Sequence, residues 1–187
     1  MTHTLHRLIR EKEATRDYVM FSMPAKGYND DKIWDRVDKN YKIMHQCNAI
    51  NIGGYDSGVF TNKEDLERAL AEIKKENLGV SIIISGNFQD IFEVCKKLKI
   101  TPHTVEFSAG IFGKKELLPD DNILEITTMC GHGLISPNYV NEIVRKVGRG
   151  KLKPLDGAKK LAKPCYCGVF NPERAAILLE ELAAQRR

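Results

Sequence analysis

The spacing of apolar positions changes several times along the chain, and each change predicts an element. Residues 18–23 are mostly apolar and read as a short strand that ends in Pro24-Ala25-Lys26-Gly27. Ile33 or Trp34, Val37, Tyr41 and Met44 then recur at helical spacing, predicting a helix over about 30–45. A brief strand-like run, 49–52, precedes the turn-rich stretch 53–58. Asn62 is a suitable N-cap, with Asp65 three residues on. The helix it opens shows an apolar face of Leu66, Ala69, Leu70 and Ile73, and Asn77 with Gly79 ends it.

Residues 80–85, centred on Ile82-Ile83-Ile84, form the clearest strand; an unbroken apolar centre predicts burial on both faces, as in a parallel sheet. Gly86-Asn87 turns the chain into a helix reaching about Leu98, with Ile91, Cys95 and Leu98 on one face. Two further strands are predicted, at 104–107 and 123–127. Ser136-Pro137 opens a helix to about Val147, since serine caps well and proline fits a first turn. The basic stretch 148–153 is a connector, 154–161 a short helix, and Asn171-Pro172 begins the last one. Strands alternating with helices predict an α/β fold, a mostly parallel sheet flanked by helices. The expected organisation is a single α/β domain over 1–187, with a C-terminal helical lobe at about 148–187 that carries a Cys-x-Cys loop.

Charge and composition narrow the function classes. The 29 Lys and Arg against 25 Asp and Glu leave a net charge of +4, spread along the chain, so no nucleic-acid partner is expected. No apolar run has the length of a membrane span and none resembles a secretory signal, so the expectation is a cytoplasmic protein that does not engage a membrane. A homo-oligomer is compatible with this composition. The five cysteines, at 47, 95, 130, 165 and 167, are odd in number and unevenly spread, unlike a disulfide framework. Cys47 and Cys95 fall on apolar helix faces and read as core residues.

The other three cysteines fall in loops rich in glycine. Cys130-Gly131-His132-Gly133 exposes a thiol and an imidazole side by side, and a helix N-terminus with a nearby imidazolium would favour the thiolate. Pro164-Cys165-Tyr166-Cys167-Gly168 places two thiols at i and i+2, too close in sequence for an easy mutual disulfide. Cys130, Cys165, Cys167 and His132 therefore form a candidate metal-ligand set. It would suit an iron–sulfur cluster, of the 4Fe-4S type with three Cys ligands, or a single transition metal such as zinc. Cys130, His132 and Lys26 are candidate catalytic residues. Gly131, Gly133, Ser85, Gly86, Asn87 and Arg174 are candidates for substrate binding. The glycine loops would gather at the carboxyl ends of parallel strands, and an arginine in the first turn of a helix works against the dipole unless it holds an anion. His3 and His6, near the amino end, could reach a site if that segment were ordered.

Residues 129–133 resemble the Met-Cys-Gly-His motif around a catalytic cysteine of proline racemase-type enzymes, a likeness confined to about five residues. The resemblance implies a pair of cysteines exchanging a proton at a substrate's α-carbon, and Cys165-Tyr166-Cys167-Gly168 is loosely like the second motif. Three readings follow. The first is a small metal- or iron–sulfur-dependent enzyme of lyase or hydro-lyase type acting on a small polar, anionic substrate. The second is a metal-free thiol enzyme using Cys130 and His132, as a racemase, an epimerase or a nucleophile. The third is a non-enzymatic metal carrier or redox sensor.

Overall fold

The computed structural model describes residues 7–53, 57–108 and 110–186. The chain divides into two compact units. One contains residues 11–105 with 167–169, and the other residues 7–10, 106–166 and 170–186. His3, His6 and Ala109, together with residues 54–56 of the predicted turn, lie outside the described residues.

The first unit is built on a four-stranded sheet. Strand β1 (Tyr18–Met23) leads through α1 (Ile33–Gln46) to β2 (Asn51–Gly53) and β3 (Ser57–Phe60). Then α2 (Lys63–Glu76), β4 (Ser81–Ser85) and α3 (Phe88–Lys97) follow. Local signals fix the helix ends. The Asn62 side chain accepts from the Asp65 N–H and the Asn87 side chain from the Asp90 N–H, while Asn77 closes α2 in the left-handed conformation. Tyr18, Met20, Phe60, Leu66, Ala69, Ile73, Ile91 and Val94 form the core, with Cys47 and Cys95 buried among them. Burial raises both thiols above the ordinary cysteine range, which keeps them protonated and inert.

The sheet is antiparallel throughout, which corrects the expectation of a mostly parallel one. Its order is β2-β3-β1-β4; β1 pairs antiparallel with both β3 and β4, and β2 antiparallel with β3. Each strand–helix–strand passage leaves a gap one strand wide. In β1-α1-β2 that gap is filled by β3, and in β3-α2-β4 it is filled by β1. This is the split βαβ arrangement of ferredoxin-like sheets. Alternation of strands and helices is common to both designs, and only β3 separates them. Its sequence, Ser57-Gly58-Val59-Phe60, is buried throughout although its serine and glycine suggest a turn. Strand β4 is half-exposed along its length, as suits an edge, and is not covered on both faces.

The second unit is helical: α4 (Asp121–Thr127), α5 (Pro137–Gly148), α6 (Pro154–Ala162) and α7 (Pro172–Gln185). Ser136 and Asn171 cap α5 and α7 through the N–H groups of Tyr139 and Arg174. Ile126, Met129, Val140, Ile143, Leu161, Phe170 and Leu179 are among the residues of its core. Gly157 lets α6 approach its neighbours closely, since a Cβ there would stand 2.7 Å from Ile143 Cγ2 and 3.3 Å from Leu179 Cδ1.

Two predicted strands are absent. Residues 123–127 belong to α4, where five successive side chains from Ile123 to Thr127 are buried. A short apolar run that is buried all round has no periodicity to distinguish strand from helix. The deciding feature is the Asp120 carbonyl, which accepts from the N–H of Ile123 at 2.8 Å and of Leu124 at 2.9 Å and so starts a helical turn. Residues 104–107 have no regular structure and are exposed, so their β-branched and aromatic side chains have no sheet to join.

Candidate metal centre

The loop carrying Cys130 and His132 is held at both ends while its middle remains open. Helix α4 ends at Thr128, whose hydroxyl donates to the Leu124 carbonyl at 2.7 Å and accepts from the Leu8 N–H at 3.0 Å. Arg7 Nε donates to the Met129 carbonyl at 2.8 Å, and the Met129 side chain is fully buried in the helical core. The chain then reverses. The Gly131 N–H donates to the Thr128 carbonyl at 2.7 Å, and Gly131 and Gly133 take φ values of 79° and 65°, in the left-handed region that favours glycine. Ile135 is buried again and Ser136 caps α5. Between these anchors Cys130 points inward, 1% exposed, and His132 is exposed.

The second loop follows α6. The Cys165 N–H donates to the Ala162 carbonyl at 2.9 Å, and the half-buried Cys165 packs against the helical core. Tyr166 is exposed. The Cys167 carbonyl accepts the Ser57 hydroxyl at 2.6 Å, which fixes the backbone beside the half-buried Cys167 thiol.

Cys130 Sγ, Cys167 Sγ and a ring nitrogen of His132 all lie within 4.8 Å of one another. Around a tetrahedral zinc ion, bond lengths of about 2.0–2.3 Å place neighbouring donors about 3.3–3.8 Å apart, so three such atoms need only a small closure to share one ion. Three of the four predicted ligands are thus gathered, and Cys165 is not among them. The three donors are close enough to hold a metal ion.

Gly131 and Gly133 belong to this same loop, whereas the candidates of the sheet unit do not share one edge. Because β1 and β4 run antiparallel, with Met23 opposite Ser81 and Val19 opposite Ser85, the loops after these strands lie at opposite ends of the sheet. Lys26 sits in an exposed turn shaped by Asn29, which accepts from the Ala25 N–H, and by Asp30, which accepts from the Gly27 N–H. Ser85 ends β4, and Asn87 caps α3. Gly86 lies against an aromatic ring, and a Cβ on it would meet Tyr18 Cδ1 at 2.7 Å and the Asp17 carbonyl at 3.3 Å. The expectation that four glycine loops share one edge falls with the parallel sheet: residues 108–110 follow no strand, and residues 129–133 follow a helix.

Arg174 does hold a carboxylate, that of Glu125. Its Nη2 lies 2.6 Å from Glu125 Oε1, both side chains are fully buried, and the same nitrogen donates to the Leu8 carbonyl at 3.1 Å. Arg7, Thr128 and Glu125 shape this region, yet sequence reading does not single them out. Their contacts reach across more than a hundred residues to the amino-terminal segment or nearly fifty to α7, so no local pattern announces them. Comparison with protein-family models, with curated proteins and with solved structures returns no match to the chain.

Proposed function

We propose that Cys130, His132 and Cys167 hold a single transition-metal ion, with zinc the best fit, and that the centre serves a metal-dependent enzyme acting on a small polar, anionic substrate. The observation that carries this reading is the mutual approach of the three donor atoms to within 4.8 Å. Two thiolates and one imidazole are soft to intermediate donors that suit zinc, and three protein ligands leave a fourth position for water or substrate. A single ion accounts for this spacing better than an iron–sulfur cluster, whose inorganic core stands between its cysteines and spreads them further apart. An ion so held would act as a Lewis acid and lower the pKa of a bound water, the chemistry that hydration and elimination reactions require.

The chain's own contribution is positional. The turn at Gly131 sets the buried Cys130 thiol beside the exposed His132 ring, and an ion held by them would be accessible from the histidine's side. Burial of Cys130 also favours a ligand role over that of an unassisted nucleophile, because reactive thiols occupy partly exposed electropositive sites.

Metal content after anaerobic purification, together with cobalt substitution, tests the reading. One equivalent of metal is expected, with a thiolate-to-cobalt charge-transfer band and the visible spectrum of a tetrahedral ion. Cys130→Ser and Cys167→Ser should each weaken binding by at least about tenfold, by analogy with the loss of a ligand contact, whereas Cys165→Ser should retain it. A wild-type protein without stoichiometric metal, or equal losses in the Cys165 and Cys167 variants, would exclude this ligand set. An iron- and sulfide-containing protein would replace the single ion by a cluster.

A further inference from the structure

The carboxyl end of α5 carries a groove of about 320 Å³ lined by Glu142, Arg145, Lys146, Arg149 and Lys151. All five lining residues are ionisable, four cationic and one acidic, which is unlike the mainly apolar lining of a pocket for a neutral ligand. The single acid is already engaged, because Lys146 Nζ lies 2.5 Å from Glu142 Oε1 across one helical turn. Glu142 is held below the ordinary carboxylate range by that contact first and by the nearby charge of Arg145 as well. Arg145, Arg149 and Lys151 make no ion pair among the described residues, and all three are exposed. The groove therefore carries an excess of positive charge, four cations against one acid.

Capping the helix does not explain them. Cations near a helix end often hydrogen-bond its last carbonyls, but here the backbone makes those bonds itself. The Gly150 N–H donates to the Val147 carbonyl and the Lys151 N–H to the Lys146 carbonyl, both at 2.9 Å, while Gly150 takes a φ of 67°. This Schellman closure turns the chain so that Lys151 faces back along the groove beside Arg145 and Arg149, which are four residues apart and so share one helix face. Holding three like charges around one concavity costs free energy through mutual repulsion, and a multivalent anion would relieve it. Guanidinium groups bind phosphate oxygens in pairs, and the ammonium adds a point charge.

We propose that this groove binds a small polyphosphate group, the chemistry shared by inorganic tripolyphosphate and the triphosphate of a nucleotide. The site is separate from the metal centre, and its test does not depend on metal loading.

The test is isothermal titration of the full chain with sodium tripolyphosphate and, separately, with ATP, both without magnesium and at low salt. Saturable one-to-one binding is expected. It should weaken about three- to tenfold in Arg149→Ala and in Lys151→Ala, as for loss of an exposed charge-assisted contact, and weaken further as salt rises. Glu142→Gln should bind more tightly than the wild type, a gain that a damaged fold could not produce. Equal affinities for the two ligands would place recognition in the phosphates alone, whereas tighter ATP binding would identify a nucleotide; either supports the site. Absence of saturable binding overturns the proposal, as does unchanged affinity in the Arg145→Ala/Arg149→Ala/Lys151→Ala variant. A single-stranded oligonucleotide bound through these residues in preference to tripolyphosphate also overturns it.

Discussion

Replacing Glu125 by glutamine should destabilise the helical unit far more than its near-isosteric shape suggests. Glu125 and Arg174 are both fully buried, and the carboxylate meets three donor groups. Its Oε1 accepts Arg174 Nη2 at 2.6 Å and the Arg10 backbone N–H at 2.9 Å, and its Oε2 pairs with Arg10 Nε. Arginine keeps its proton at accessible pH, so Glu125→Gln removes the carboxylate charge that faces the buried Arg174 guanidinium. Breaking a buried pair from one side costs about 3–5 kcal/mol. Arg10 adds little, because its side chain is 30% exposed and also reaches Glu181 Oε2 at 3.1 Å, where solvent screens the interaction to about 1 kcal/mol or less.

For a chain of this size that loss corresponds to a fall in melting temperature of about 6–20 °C, measurable by circular dichroism at 222 nm. Urea unfolding of the same variant gives the free energy directly. The double variant Glu125→Leu/Arg174→Met supplies the control. Replacing both charges by apolar groups of similar volume is often neutral or stabilising, so it should recover most of what Glu125→Gln loses. A Gln variant within 1 kcal/mol of wild type would refute the reasoning, because the buried Arg174 charge would then be neutralised elsewhere. Glu125 lies five residues before Cys130 on the element that anchors the metal-centre loop, so the same variant should also weaken metal binding.

Two further outcomes follow from packing and protonation. Gly157→Ala should destabilise in urea unfolding by about 1 kcal/mol: the gain in helix propensity is about 1 kcal/mol, but a Cβ at 2.7 Å from Ile143 Cγ2 brings an overpacking cost of about 1–3 kcal/mol. A more stable alanine variant would show that α6 shifts freely. The Tyr18 hydroxyl is pushed above its ordinary 10.0 by burial first, and then by the hydrogen bond it donates to Asp90 Oδ2 at 2.5 Å. Its folded-state pKa is raised, so this contribution to stability is complete below about pH 10 and is lost as the pH rises beyond it. Tyr18→Phe should flatten that alkaline decline, as followed by denaturant midpoints between pH 9 and about 11.5. An unchanged slope would assign the decline to other groups.

The contrast between legible and illegible features follows the range of the interaction. Asn62, Ser136 and Asn171 announce their helices because a cap and the N–H groups it serves lie within three residues. The pairing of β1 with β3 joins positions about forty apart, and no local signal distinguishes a crossover to a neighbouring strand from one that skips a strand. Residues 123–127 fail for a different reason. Complete burial removes the polar face that would have shown a helical period, and the Asp120 carbonyl that starts the turn is invisible in a hydropathy pattern.

The candidate metal centre is legible to the same extent and for the same reason. Cys130 and His132 share one turn, which the glycines on either side of the histidine mark; only His132 is exposed there, and the thiol expected to be exposed is buried. The Cys-x-Cys loop pointed to a second source of thiolate but could not say which sulfur would serve. That choice rests on contacts distant in sequence: Cys165 is drawn against the helical core, and the Cys167 backbone is tied to Ser57 more than a hundred residues away. Residue chemistry thus suffices to nominate donors, whereas their selection depends on the same long-range packing that made β3 a strand. A ligand set of Cys130, His132 and Cys167 without Cys165 is for that reason the sharper claim, because it stands or falls with the fold rather than with composition.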